Sequence, residues 1–112
     1  MSDSVAARLA HDVGKYVARI AHNVPPDGPI PSGLVPLLAK DLYEHPGGGR
    51  PSARFAELAP DDPALRPVRE ALAAIDALEA DVRAADDAAC RRACALALEV
   101  EGALRAYAAE AR

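Results

Sequence analysis

The sequence contains no tryptophan, one phenylalanine and three tyrosines among its 112 residues. With so few large rings, the interior must be built from aliphatic side chains and alanine. Those aliphatics suffice for one modest helical core but not for a deep catalytic cleft as well. Only two cysteines are present, Cys90 and Cys94, four apart in a helix-forming stretch. At that spacing β-carbons stand about 5–6 Å apart, wider than the roughly 3.5–4.5 Å of a disulfide, so both read as reduced thiols. No histidine lies near them in the sequence, which leaves small, partly buried side chains as the reading and no metal site. No apolar run approaches the roughly 20 residues that cross a bilayer. The opening MSDSVAARLAHD lacks the basic start and apolar middle of a signal peptide, so the expected location is cytoplasmic. Nor is there an excess of positive charge: the net charge is −4 and the pI about 5.3, which argues against a general nucleic-acid binder. No segment shows the β-branched alternation of a strand.

What is present is helix. Apolar residues make up 51% of the chain, and alanine, the strongest helix former, supplies much of that share. The length suits one domain, residues 1–112. All ten prolines fall between Pro25 and Pro67, with five of the seven glycines, so continuous helices flank a broken middle. The first helix is expected from Ser4 to Asn23, with Ser2 or Ser4 as cap and Pro25 pushing Val24 out of helical geometry. Val5, Leu9, Val13, Val17, Ile20 and Val24 form its apolar face. The stretch VPPDGPIPSG then reads as a loop, with a tight turn at Pro26-Asp27-Gly28. A second helix follows over Gly33 to Glu44, capped by Ser32 and burying Leu34, Leu38 and Leu42. After the flexible PGGGRPS, a helical turn near Ala53 to Ala59 would bring Phe55 and Leu58 over one end of the core.

The C-terminal third admits two readings. Leu65, Val68, Leu72, Ile75 and Val82 keep one heptad phase that continues through Ala89, Ala93, Leu96, Val100, Ala103 and Tyr107. One unbroken helix in a coiled-coil homodimer would satisfy that pattern. However, Glu79 and Asp86 occupy would-be core positions, and Arg83 followed by Asp86-Asp87 is the charge order of a helix end and a new helix start. The expectation is therefore two helices, Pro67 to Ala84 and Asp87 to Ala111. These form an antiparallel hairpin packed on the first helix, and the short second helix completes an all-α bundle of about four helices.

The stretch LAHDVGKYVARIAHNV holds the candidate site. With Val13 taken as the core direction, about 100° per residue places His11 and His22 near 160° and 180°, towards solvent. Arg8, Lys15 and Arg19 share that outer face, while Ala7, Gly14 and Ala18 form a low strip beside the histidine. Gly14 inside a helix costs about 1 kcal/mol relative to alanine and calls for a cause such as close approach of another backbone. An exposed imidazole, a neighbouring cation and an unobstructed surface are what phosphoryl transfer through histidine needs.

Around His11-Asp12-Val13-Gly14-Lys15 the sequence resembles histidine-phosphotransfer domains, small four-helix bundles with an exposed histidine. Their motif places Lys three and Gly four residues after the histidine, whereas here Gly14 and Lys15 are transposed. The resemblance implies His11 as phospho-acceptor, with Lys15 neutralising phosphate charge. The acid after His11 is similar to the H-box of histidine kinases, without that motif's later proline. HDVGK also resembles the His-Asp pair of HD-type phosphohydrolases, but residues 1–10 hold no earlier histidine to complete their metal centre.

Other candidates are weaker. Asp41 and His45 could share a metal, although a histidine near a helix C-terminus is more often placed there by charge. PGGGRPS lacks the Gly-Lys-Ser/Thr end of a P-loop. Glu70, Asp76, Glu79 and Asp81 lack the Glu-x-x-His pairs of a di-iron bundle. No cofactor is expected. The functional expectation is a non-catalytic adaptor or regulatory domain in bacterial-type signalling. Arg8, His11, Gly14, Lys15, Ala18, Arg19 and His22 would dock an acidic protein surface, such as a receiver domain or a small GTPase. The alternative is histidine phosphotransfer through His11.

Overall fold

The computed structural model describes residues 4–25, 27–45 and 47–110, and all the regular structure among them is helical. Ser2, Pro26 and Ala111, named above in a cap, a turn and a helix end, lie outside the described residues. Helix α1 covers residues 5–18 in three parts: α-helical Val5–Leu9, π-helical Ala10–Lys15 and α-helical Tyr16–Ala18. Ser4 caps it, its hydroxyl accepting from the Ala7 N–H at 3.0 Å. The expected continuation to Asn23 is instead a turn and a 3₁₀ segment, Ala21–Asn23.

The π turn is the structural answer to an apolar spacing of strict fours. In an α-helix each four-residue step overshoots a full turn by about 40°, so Val5, Leu9, Val13 and Val17 would spiral off one face. A π turn closes i→i+5 and rotates less per residue, which draws the row back into line. Leu9, Val13 and Val17 are completely buried, whereas Val5, at 46% exposure, drops out of the core.

Helix α2 spans Leu34–Tyr43 and α3 spans Pro51–Leu58. No side-chain bond from Ser32 caps α2; the Ser32 and Pro31 carbonyls instead take the Val35 and Leu34 N–H groups. Leu38 and Leu42 are buried as expected, but Val35 rather than Leu34 extends the buried face. Phe55 of α3 is buried and Leu58 packs at the core edge. A 3₁₀ turn, Pro63–Leu65, leads into α4 (Arg66–Ala77), from which only Leu78 separates α5 (Glu79–Arg83).

Between α5 and the long α6 (Asp87–Glu110) the chain reverses through Ala84, Ala85 and Asp86. The Ala85 N–H bonds the Val82 carbonyl and the Asp86 N–H bonds the Asp81 carbonyl, both at 3.0 Å, while Ala85 adopts φ +62°. That is a Schellman ending. Asp86 then caps α6 by accepting from the Ala89 N–H at 2.9 Å. The two-helix reading of the C-terminal third therefore holds, and the chain forms a small antiparallel all-α bundle.

Helix α6 is the spine. It packs most extensively on α1, and it also packs on α4 and α5. Arg91 ties the loop before α2 to this spine, donating to the Pro25 carbonyl at 3.0 Å and also to that of Gly28. Asp87 accepts from the Ile30 N–H at 3.2 Å, which fixes the same loop. Cys90 and Cys94 are both free and buried. Burial pushes the Cys94 thiol up to about 11 and raises that of Cys90. Among the described residues no helix is long and apolar enough to cross a membrane.

Candidate functional site

His11 sits on the π-helical stretch of α1, and its side chain is 61% exposed. Its Nδ1 lies 3.0 Å from an oxygen of Asp12. Because a carboxylate only accepts, Nδ1 carries the hydrogen, and Nε2 is left with a lone pair towards solvent. The second Asp12 oxygen accepts from Arg54 of α3 at 3.2 Å. The His11 hydrogen bond, with help from Arg54 and against the effect of burial, holds the Asp12 carboxyl below the usual carboxylate range. Tyr16 meets the His11 ring edge-on at 5.9 Å and the His45 ring at 5.5 Å, and Arg19 lies over the Tyr16 ring at 4.8 Å. The imidazole of residue 11 is thus oriented from one side and open on the other.

Towards α6, His11 and Lys15 border an open groove floored by Ala7, Ala10, Ala108 and Ala109. Glu101 and Arg105 of α6 form the opposite wall. Glu101 is committed twice, to His22 at 2.7 Å and to Arg105 at 3.5 Å. Arg8 and His11 border a second hollow on the neighbouring side of α1. Among the described residues, neither Arg8 nor Lys15 has an ion-pair partner.

The structure divides the seven residues of the sequence-derived face. Arg8, His11 and Lys15 are exposed together. Gly14 and Ala18 are buried and cannot form part of a docking surface. α6 covers them: a β-carbon at Gly14 would stand 3.4 Å from the Glu101 Cα and 3.5 Å from the Leu104 side chain. The α6 backbone thus passes this position at a distance that leaves room for a methyl group and nothing larger. Arg19 reaches sideways to the buried Asp41 at 2.9 Å, and His22 is held by Glu101, so both serve the fold. Sequence reasoning placed Ala7 beside the histidine but missed Arg105 and the far half of the floor, Ala108 and Ala109, because they lie about ninety residues away on another helix. The alanine pair at 108–109 looks from the sequence like ordinary helix filler.

The Asp41 and His45 pairing is also resolved. The Asp41 carboxylate accepts from Arg19 and from the Ile20 N–H, both at 2.9 Å. The His45 Nε2–H donates to the Asp12 carbonyl at 2.7 Å while Nδ1 accepts from the Gly47 N–H at 2.8 Å. The two residues brace α2 against α1, and with both ring nitrogens engaged His45 keeps no lone pair for an ion. Among the described residues no three His, Cys, Asp or Glu side chains gather into a metal-binding group. Asp76 and Glu79 are likewise tied into a network: Arg50 reaches Asp76 at 3.6 Å and Glu79 at 2.6 Å, and Arg83 reaches Glu79 at 2.9 Å.

The fold and site together define a small helical bundle with a cationic, alanine-floored groove between α1 and α6. Comparison with protein-family models, with curated proteins and with solved structures finds no match.

Proposed function

We propose that this chain is a non-catalytic interaction domain, an adaptor or regulatory module of bacterial-type signalling, that docks an acidic protein surface across the α1–α6 groove. The observation that carries this reading is a pair of exposed cations, Lys15 on that groove and Arg8 on the neighbouring hollow, which have no ion-pair partner among the described residues and stand beside small apolar side chains on an otherwise acidic chain. Small residues let a partner backbone come close, and the unpaired charges set its sign and speed its approach. A receiver domain or a small GTPase with a carboxylate-rich face has the matching chemistry.

A second reading is favoured by one further detail. Asp12 fixes the Nδ1–H tautomer of His11, so Nε2 presents its lone pair outward with Lys15 one turn away. In a phosphorelay, Nε2 would attack the phosphorus of an aspartyl phosphate. The N–P bond forms as the P–O bond to the aspartate breaks, and the carboxylate leaves with its electron pair. Lys15 would offset charge on the phosphoryl oxygens.

One experiment serves both readings. A panel of purified receiver domains and small GTPases is titrated against the chain, and the receivers are then phosphorylated with labelled phosphate. Docking predicts that Arg8→Glu with Lys15→Glu raises Kd at least about tenfold. Lys40→Glu, which reverses an exposed cation on α2, should leave it unchanged. Equal affinity in the double variant discards the groove. Relay predicts acid-labile label on the chain that His11→Ala removes; label persisting in that variant, or absent with every donor, eliminates the relay.

A further inference from the structure

A second groove runs along the other side of the spine, between α4 and α6. Val68, Leu96 and Val100 form its floor, and Ala71, Ala74 and Ala103 its walls. Its rim carries Glu70 on the α4 side and two charges on α6, Arg92 and Glu99. Neither has an ion-pair partner among the described residues. Their own helix supplies none, because three and four residues away from each stand only alanine, leucine or glycine: Ala88, Ala89, Ala95 and Leu96 for Arg92, and Ala95, Leu96, Gly102 and Ala103 for Glu99. The two are seven residues apart on one stripe, separated by about 10 Å along the axis, too far to meet each other.

This pattern is its own complement when reversed. We infer that the α4–α6 groove is a homodimer interface, in which α6 of a second copy lies antiparallel along α6 of the first. A two-fold axis midway between Ala95 and Leu96 sets Arg92 against Glu99 of the second copy, and Glu99 against its Arg92. The same axis places Ala103 opposite Ala88 and Ala95 opposite Leu96, so an alanine stands on at least one side of each of these pairs. Helix axes can then pack within the usual range of about 8–10 Å. Parallel packing would set Arg92 against Arg92 and Glu99 against Glu99. Like charges therefore select the antiparallel, isologous arrangement. The chemistry recognised is this stripe itself, which makes a second copy the fitting occupant. The α1–α6 groove lies on a different side of α6 and stays open in the dimer.

The test is a charge swap read by sedimentation velocity and light scattering from low micromolar to about 1 mM chain. The wild type should pass from one chain of 11.7 kDa to twice that mass. Arg92→Glu alone and Glu99→Arg alone each oppose like charges at both ends of the seam and should raise the dimer Kd about tenfold. Combining the two restores opposite charges in reversed order and should restore the dimer. Arg92→Gln and Glu99→Gln, which remove charge without opposing like signs, should weaken it severalfold and cover the case of a reversal that disturbs folding. A wild type that stays monomeric throughout, single variants that dimerise as the wild type does, or a double variant that remains monomeric would each overturn the inference.

Discussion

Gly14 shows how tightly single positions are set. The α6 backbone passes it at a distance that puts a β-carbon 3.4 Å from the Glu101 Cα, the inner limit of ordinary contact. Alanine should therefore fit, its better helix propensity offsetting a slight squeeze, and Gly14→Ala should change stability by less than about 1 kcal/mol. Gly14→Val adds two carbons where no space remains and should cost at least about 2 kcal/mol. Urea denaturation of both variants checks this; equal losses would mean that α6 does not rest on this residue. The sequence signals a reason for Gly14, since a glycine inside a helix demands one. It does not signal which surface supplies that reason, and this is why Gly14 and Ala18 fall on the docking face when α1 is read alone.

At the scale of elements, helix placement follows the punctuation of proline, glycine and capping residues closely, while internal geometry does not. The strict four-residue spacing of Val5, Leu9, Val13 and Val17 was the only mark of the π turn, and it reads equally as an ordinary amphipathic stripe. The break before α6 is marked by charge order rather than by a glycine. Its left-handed position holds Ala85, with φ +62°. An L side chain there costs about 1 kcal/mol relative to glycine. Ala85→Gly should accordingly raise stability by about 0.5–1 kcal/mol, the entropy gained by the unfolded chain taking back part of the relief. Thermal melts that show a loss instead would place the reversal elsewhere.

Over the whole molecule, carboxylates fasten the pieces to one another. Asp12 is held down by His11 and Arg54, Asp62 by the Ala64 N–H and Tyr107, Glu79 by Arg83 and Arg50, and Asp87 by the Ile30 N–H and Arg91. Each has a folded pKa below its unfolded one. The stabilisation is therefore complete above about pH 5 and drains away as pH falls through about 4 towards the folded values. Melting temperature should be level between about pH 7 and 5 and drop clearly by about pH 3. A flat profile to that point would contradict the role given to these pairs. Such long-range pairs, Asp12 with Arg54 or Tyr107 with Asp62, were not legible in the sequence, because periodicity orients a helix face without naming its neighbour.

The two sulfurs leave the chain with an experimental opening. Cys90 and Cys94 lie on the buried face of α6 and burial raises both thiols, so neither competes for a maleimide at neutral pH. One cysteine introduced at an exposed position such as Ser32 would then be the sole attachment point for a fluorophore or spin label. Distances between labelled copies could be measured without removing either native thiol.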